Sequence, residues 1–474
     1  MGWQFFNTLH RRVEPFVPGD PEGREVRLYC CGPTVHDYAH IGNFRTFVFV
    51  DFLRRCLEDT GFQVIHVMNV TDVEDKILRR VRETGASLAE YTRRYETAFL
   101  EDHRTLNCLS PHHMPRATEH VADILVLIER LISRGIAYRT ADGSVYFSIA
   151  KYREAGHQYG QLLTLDLEAL RPGERTDADE YGKEAATDFA LWKARVAEDG
   201  EVFWPSPWGE GRPGWHIECS AMSMKLLGAS FDLHLGGEDL VFPHHEDEIA
   251  QSEGACLHGP GERFVRYWMH VAFLLVEGRK MSKSAGNFFT LRDLLERGFN
   301  GREIRFLLLS SHYRESFNFT LDGLSGARTA LARLDECGAR LKERAGAAAG
   351  TPDPSLMDRV RSALQDDLNV SRAWGALFEW VREQNRELAE NRFSPEAAAS
   401  AWAAWDAVLR LFGLEPVETQ ASIPAEILAL AEERLAARKA RDFARSDVLR
   451  DELKARGWLV EDTPNGPKLK AVDG

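Results

Sequence analysis

The sequence predicts an α/β protein built on a doubly wound parallel sheet with an insertion, followed by an α-helical region and a small C-terminal α+β unit. Three patterns lead to this. Short β-prone apolar runs at 26–31 and 64–70 flank a stretch, 44–57, whose apolar residues recur at helical spacing. A second pair of strand-like runs lies at 231–235 and 265–275. From residue 325 onward, alanine-rich amphipathic stretches replace the strand pattern.

The first pattern reads as strand, loop, helix, strand, with Gly61 at the turn back. In such a unit the loop sits at the C-terminal edge of a parallel sheet. That makes the domain Rossmann-like and puts residues 40–43 at a helix N-terminus. Residues 25–107 fit the opening half of the sheet domain and 231–287 the closing half, within a domain spanning 1–324. Between them lies an insertion at about 108–205. Its helical stretch, 118–134, leads into 138–149, where Asp142-Gly143 between β-prone runs signals a hairpin. The helical region, 325–415, has a Gly/Pro-bearing break at 346–354. A second break at 414–424 sets off the last unit, 424–474, which opens with a helix at 425–439 and ends in a hairpin-like tail around Pro464, Asn465 and Gly466.

A chain of 474 residues has room for two or three domains and a large core. No run of about 18 apolar residues suggests a membrane span. The start has neither a signal-peptide layout nor the hydroxyl residue that myristoylation prefers at position 6. Seven scattered cysteines argue against a disulfide scaffold and for a reducing cytoplasm where thiols are available to metals. The net charge of −14 counts against a nonspecific grip on a polyanion. From Pro424 to the end, however, ten Lys/Arg balance ten Asp/Glu, so RNA binding would use local patches.

Three motifs carry chemistry. Lys280, Met281, Ser282, Lys283 and Ser284, followed by Ala285, Gly286 and Asn287, put two ammonium groups and two hydroxyls on one loop. Such a loop can close over a polyphosphate and stabilise the charge that grows as pyrophosphate leaves; a solvated basic loop is the ordinary alternative. His40, Ile41, Gly42 and Asn43 open the predicted helix, where backbone N–H groups favour phosphate and simple capping is the alternative. The third is a set of soft and borderline ligands: Cys31, Cys219, and His244 with Glu248 in a segment, 242–248, that opens a helix. A four-residue spacing puts His244 and Glu248 on one helix face, and two thiolates, an imidazole and a carboxylate suit Zn²⁺. His244 can equally cap the helix, and either cysteine can be a buried apolar residue. No second histidine follows four residues after the first, so the metalloprotease pattern is absent. The run Gly236, Gly237, Glu238, Asp239 suits close approach to a nucleotide, or a plain strand-end turn.

The pentapeptide at 280–284 resembles the second signature of class I aminoacyl-tRNA synthetases, and residues 40–43 resemble the first, His-Ile-Gly-His, with asparagine in the last place. Four further segments resemble the cysteinyl-tRNA synthetase family across nearly the whole chain: Tyr29-Cys30-Cys31-Gly32-Pro33-Thr34-Val35, Asn69-Val70-Thr71-Asp72, Gly214-Trp215-His216-Ile217-Glu218-Cys219-Ser220, and 242–248. The resemblance implies one Zn²⁺ at the floor of the amino-acid pocket, with Cys31, Cys219, His244 and Glu248 as its ligands. Cys30 rivals Cys31, but the family's cysteine directly precedes the glycine, which selects Cys31. Thr71 and Trp215 resemble pocket residues that would join Cys31 and His244; their ordinary roles would be a cap and a core position.

By the same resemblance, ATP, entering with Mg²⁺, would meet His40, Gly42, Asn43, Gly237, Lys280, Ser282, Lys283 and Ser284, with His40, Lys280 and Lys283 assisting catalysis. The implied reaction joins L-cysteine to the 3′ end of tRNA(Cys) through cysteinyl-adenylate, in a cytoplasmic, monomeric enzyme. Residues 325–415, with Asp366-Asp367-Leu368-Asn369, resemble the family's helical tRNA-binding domain, and 424–474 its anticodon-binding unit. Arg434, Arg438, Lys439, Arg441 and Trp458 are candidates for RNA contact, although a solvated helix face is the ordinary reading of any one of these arginines. Asn43, and His36 where the family usually has tyrosine, are departures. Two alternatives share the catalytic half: a cysteine ligase that acylates an amino sugar in mycothiol synthesis, and a noncatalytic RNA-binding homologue.

Overall fold

The apolar run that opens the sheet domain forms the strand Glu25–Cys30, and the helical spacing after it becomes the helix Ile41–Asp59. These come from a computed structural model that describes residues 2–163, 188–255, 263–281, 286–416, 425–440, 442–463 and 466–471. The helix buries Phe44, Val48, Phe52 and Leu53 against the sheet core and leads to the next strand, Gln63–Met68. Two later strands, Phe231–Gly237 and Val265–Val271, complete a four-stranded sheet whose pairings are all parallel.

Strand order fixes where a site belongs. Glu25–Cys30 is central, with Gln63–Met68 on one side and Phe231–Gly237 on the other, followed by Val265–Val271 at the edge. The chain winds outward in one direction first and in the other later, so the loops leaving Cys30 and Gly237 diverge and open a crevice between them. The expected single strand at 265–275 is in fact two. Val265–Val271 stays in the parallel sheet, whereas Leu274–Val276 joins a separate three-stranded sheet with Arg279–Lys280 and Phe317–Phe319. The break falls at Ala272 and Phe273, whose carbonyls accept from the Arg45 guanidinium at 2.7 and 2.8 Å.

The insertion folds as an antiparallel sheet of Ala137–Arg139, Val145–Phe147, Phe189–Ala194 and Gly211–Pro213, packed on the helices Val121–Ser133 and Trp215–Leu227. Asp142-Gly143 lies in the first hairpin, with Gly143 at φ +94°. The last strand extends past the expected end of the insertion and delivers Trp215 directly into its helix.

Four long helices, Leu321–Ala345, Pro354–Leu364, Val370–Ala389 and Pro395–Phe412, make the helical region, and the break at 346–354 separates the first two. One hydrophobic core runs from Trp3 through the sheet domain to Leu414, and contacts group residues 1–415 as a single unit. Arg305, fully buried, pairs with Asp51 and donates to the carbonyls of Phe412 at 2.7 Å and Leu106 at 3.0 Å. Removing one partner from such a buried pair costs about 3–5 kcal/mol, so the helical region is fastened by charge as well as by apolar burial.

The C-terminal unit has the expected helix Ala425–Lys439, a second helix Phe443–Ala455, and the hairpin Trp458–Thr463 with Gly466–Ala471 around a core of Ile427, Ala431 and Leu453. Pro464 and Asn465 at the turn lie outside the described residues.

Candidate active site

Cys31 follows the central strand at its C-terminal edge, where the crevice opens. Gly32 next to it cannot carry a side chain, because a Cβ there would overlap the Asn69 carbonyl oxygen. The helix Trp215–Leu227 brings Cys219 alongside, and the turn 241–245 leading into the helix Glu246–Gly254 brings His244 and Glu248. Cys31 Sγ lies 3.8 Å from Cys219 Sγ, 3.5 Å from His244 Nε2 and 3.6 Å from Glu248 Oε1. His244 Nε2 and Glu248 Oε1 are 3.1 Å apart, as the four-residue spacing requires. All four side chains are buried.

These distances test the donor set directly. A zinc tetrahedron with Zn–S of about 2.3 Å and Zn–N or Zn–O of about 2.0–2.2 Å has edges of about 3.8 Å between sulfurs, about 3.6 Å from sulfur to nitrogen or oxygen, and about 3.4 Å from nitrogen to oxygen. The residues present fit. A second group, Cys31, His234, His245 and Glu248, also lies within 4.8 Å, but it shares Cys31 and Glu248 with the first and holds one sulfur instead of two. The two groups could therefore hold only one ion between them, and a thiolate-preferring metal would favour the set containing Cys219.

The electrostatics agree. The hydrogen bond from the Cys31 thiol holds Cys219 down at about 6, while burial beside that thiolate pushes Cys31 well up. Burial works against the His244 imidazolium, but Glu248 and Cys219 overcome it and hold it up at about 10. Glu248 is held down at about 2 against its own burial by His234 and His244. A metal ion bound here would displace the protons that Cys31 and His244 carry, since a thiol and an imidazolium must be deprotonated before they can ligate.

The two other predicted motifs line the same cavity of about 620 Å³ as Cys31, Cys219 and His244. His40 is the N-cap of the helix Ile41–Asp59: its Nδ1 accepts from the Asn43 backbone N–H at 3.1 Å, and the Asn43 side chain accepts from the His40 backbone N–H at 3.1 Å. The capping reading of His40 is the one this geometry carries. Burial pushes its imidazole down to about 4, so the ring is neutral near pH 7. With Nδ1 occupied as acceptor, Nε2 carries the proton and serves as the donor. Gly42 permits close packing between the motifs, since a Cβ there would lie 2.6 Å from Met281 Cε. Lys280 ends a hairpin at the cavity and is exposed. Ser282, Lys283 and Ser284 lie outside the described residues.

Thr71 and Trp215 line the cavity, with Thr71 Oγ1 accepting from Asn69 Nδ2 at 3.2 Å and Trp215 stacked on His244 at 4.5 Å. Gly237 and Asp239 line it as well, and so does His36. Of the RNA candidates, Arg438 and Lys439 are exposed and Trp458 packs beside the core of the C-terminal unit. Arg434 is buried, 4% exposed, so it lies inside that unit and not on its surface. Arg441 is outside the described residues.

Sequence reasoning missed the histidines around the donors. His216 Nδ1 meets His244 Nδ1 at 2.9 Å, His234 meets Glu248 at 3.0 Å, and His245 meets Cys31 Sγ at 3.4 Å and His270 at 2.8 Å. The adjacent His244-His245 pair was a legible signal; His270 offered none. Asn287, quoted above without a role, donates to the carbonyls of Val276 at 3.1 Å and Lys280 at 3.2 Å and so closes the base of the lysine hairpin.

A parallel sheet with a capped His-Ile-Gly-Asn turn and a lysine hairpin at its C-terminal edge is the arrangement of class I aminoacyl-tRNA synthetases. Residues 19–329 match the family described as tRNA synthetases class I (C) catalytic domain, and residues 359–414 match the DALR domain. The chain is 47% identical over 488 residues to the cysteine–tRNA ligase of Chlamydia muridarum, covering 98% of this chain and 99% of that protein. The cysteine–tRNA ligase of Solibacter usitatus is 46% identical over 479 residues, covering 99% and 100%. The chain belongs to the cysteine–tRNA ligase family. Its fold also resembles Mycobacterium tuberculosis methionyl-tRNA synthetase bound by methionyl-adenylate, with a TM-score of 0.58 at 15% identity, covering 82% of this chain and 90% of that one. The LeuRS of Agrobacterium radiobacter K84, in a ternary complex with tRNA and LeuAMS, gives 0.59 at 12%, covering 85% and 87%.

Proposed function

We propose that this chain activates L-cysteine with ATP and transfers the cysteinyl group to the 3′ end of tRNA(Cys), using the residues assembled in this cavity. The observation that carries the reading is that one cavity is lined by Cys31, Cys219 and His244 of the donor set together with His40, Gly42, Asn43, Lys280 and Met281 of the two motifs. The cysteine carboxylate attacks the α-phosphorus of ATP, the bond to the β-phosphate oxygen breaks, and pyrophosphate leaves with cysteinyl-adenylate formed. A terminal ribose hydroxyl of the tRNA then attacks the acyl carbon, and AMP departs. No side-chain nucleophile is needed; alignment and charge stabilisation supply the rate.

His40, as a neutral Nε2–H donor, and the backbone N–H groups near Gly42 and Asn43 bind phosphate oxygens at the helix N-terminus. Lys280 and Lys283, with Ser282 and Ser284, attend the departing pyrophosphate, and ATP enters with Mg²⁺. Gly237 admits the nucleotide. Thr71 and Trp215 shape the amino-acid side beside Cys31 and His244. Zn²⁺, held by Cys31, Cys219, His244 and Glu248, would supply a soft Lewis acid with a strong preference for a thiolate over an alcohol. That preference matters because a purely steric pocket separates near-isosteres by only about 1–3 kcal/mol.

The helical region and the C-terminal unit would hold the tRNA, with exposed Arg438 and Lys439 available to phosphates. End-to-end similarity to cysteine–tRNA ligases, helical region included, favours tRNA over an amino sugar as the acceptor. A monomer in the cytoplasm completes the proposal. Among the described residues no helix is long and apolar enough to cross a membrane, and six cysteines are free and buried.

The test is cysteine transfer to purified tRNA, run beside transfer to glucosaminyl-inositol, with cysteine-dependent ATP–pyrophosphate exchange as control. Product on tRNA alone is expected. Product on the amino sugar, or no exchange at all, rejects the reading. In the same assay Lys283→Ala slows exchange and leaves zinc content intact.

A further inference from the structure

Arg45 lies on the helix that begins at His40, one residue past the first turn, and is buried, 3% exposed. Its guanidinium bridges two segments. Nη1 donates to the carbonyls of Ala272 at 2.7 Å and Phe273 at 2.8 Å, where the edge strand of the parallel sheet gives way to the hairpin that carries Lys280. Nη2 donates to the carbonyls of Glu315 at 2.6 Å and His312 at 3.2 Å, and approaches Ser311 Oγ at 3.4 Å. Among the described residues all its hydrogen-bond acceptors are neutral oxygens, and the Glu238 and Glu315 carboxylates act on it only through space. A buried cation with no hydrogen-bonded carboxylate is a poor way to fill a core, but a guanidinium fork is well suited to fixing several backbone carbonyls at once.

The 312–315 segment is held from its other side by Asp367. The Asp367 carboxylate, 4% exposed, accepts from Tyr313 Oη at 2.6 Å, from Arg314 Nε at 2.8 Å and from the Phe6 backbone N–H at 2.8 Å. Its backbone carbonyl lies 2.7 Å from His312 Nε2. Asp367 and Leu368 both adopt the left-handed region, at φ +51° and +55°, which residues other than glycine rarely adopt and which the surrounding bonds must hold in place. Asp367 falls in the segment that matches the DALR domain.

We propose that Arg45 is a positioning residue for adenylate formation: it fixes the hairpin carrying Lys280 against the helix carrying His40, and Asp367 ties the same junction to the helical region. The two phosphate-binding motifs are more than 200 residues apart in sequence and must face the same phosphates. Arg45 lies on the helix of one and hydrogen-bonds the base of the other. Lysine at this position brings a compact ammonium on a shorter reach, which cannot bridge Ala272 and Glu315 together, so the hairpin loses its register while the donor set around Cys31 keeps its own supports.

This inference rests on the adenylation reading above, and the test separates the two. Parent, Arg45→Lys and Asp367→Asn full-length chains are assayed for cysteine-dependent ATP–pyrophosphate exchange, per active site counted by single-turnover adenylate formation, together with zinc content and the KM for cysteine. Absence of exchange in the parent sinks the adenylation reading itself. With an active parent, Arg45→Lys is expected to lower the exchange kcat per active site by about 10²-fold, the cost of misplacing reacting groups by about 1 Å. Zinc content and the KM for cysteine stay within twofold, and Asp367→Asn loses less in the same parameter. Exchange within twofold of the parent overturns the proposal. So does a parallel fall of zinc content and cysteine affinity, which is the mark of a merely structural residue. Should Arg45→Lys fail to fold, Asp367→Asn decides by the same criteria.

Discussion

Gly42→Ala separates the phosphate side of the site from the fold that supports it. An added Cβ at this position would lie 2.6 Å from Met281 Cε and 2.9 Å from His40 Nδ1. The methionine tip can swing aside. The His40 ring has less freedom, because it accepts from the Asn43 N–H at 3.1 Å and meets Phe288 edge-on at 5.3 Å. Tilting the ring weakens the helix cap, a loss of about 0.5–2 kcal/mol. Alanine in place of glycine gains the helix about 0.8–1.0 kcal/mol. The two nearly cancel, so the melting temperature should move by only a few degrees. Catalysis has no such compensation. Displacing the Nε2–H donor and the Met281 end of the lysine hairpin should cost about 10²-fold in the pyrophosphate-exchange kcat, or about 2.7 kcal/mol of barrier. Zinc content and the KM for cysteine should hold, since Cys31, Cys219, His244 and Glu248 are supported by other elements. An exchange rate within threefold of the parent, or zinc lost in step with activity, would refute this account of the His40–Gly42–Met281 packing.

Two further outcomes follow from the buried groups. Cys219→Ser should take zinc from near one per chain to a small fraction, measured by atomic absorption, and weaken discrimination against serine in exchange assays; full retention of zinc rejects the donor set. His66 is 1% exposed, and burial pushes its imidazole down to about 3, below the ordinary 6.5. A histidine whose folded value is depressed gives stability that is fully present above about 6.5 and lost as pH falls toward the folded value, at about 1.4 kcal/mol per pH unit. Melting temperatures should therefore drop between pH 6.5 and 4, and His66→Leu should flatten that slope; an unchanged slope rules His66 out as a contributor.

The local patterns of the chain were enough for the halves of the sheet, the helix at the first motif, the insertion's hairpin and the helices of the last two regions. Periodicity and turn residues act over a few positions, so they survive in the sequence unaided. The donor residue types and the spacing of His244 and Glu248 were legible for the same reason. The break at Ala272–Phe273 was not, because the group that meets its two carbonyls, the Arg45 guanidinium, lies far away in sequence. The burial of Arg434 was also hidden, since exposure depends on which helix faces which.

Cys30 and Cys31 show where the division falls. The sequence by itself determined that a cysteine pair ends the first strand and that the chain carries a His-Ile-Gly-Asn motif, a Lys/Ser motif and a set of Cys, His and Glu side chains of soft and borderline donor type. Neighbouring residues along an extended chain point to opposite faces. The tertiary structure placed Cys30 in the core shared with Val26 and Leu28, and Cys31 on the other face, among Cys219, His244 and Glu248. Which face meets the donors depends on helices more than 180 residues downstream, and no local pattern in the strand encodes them.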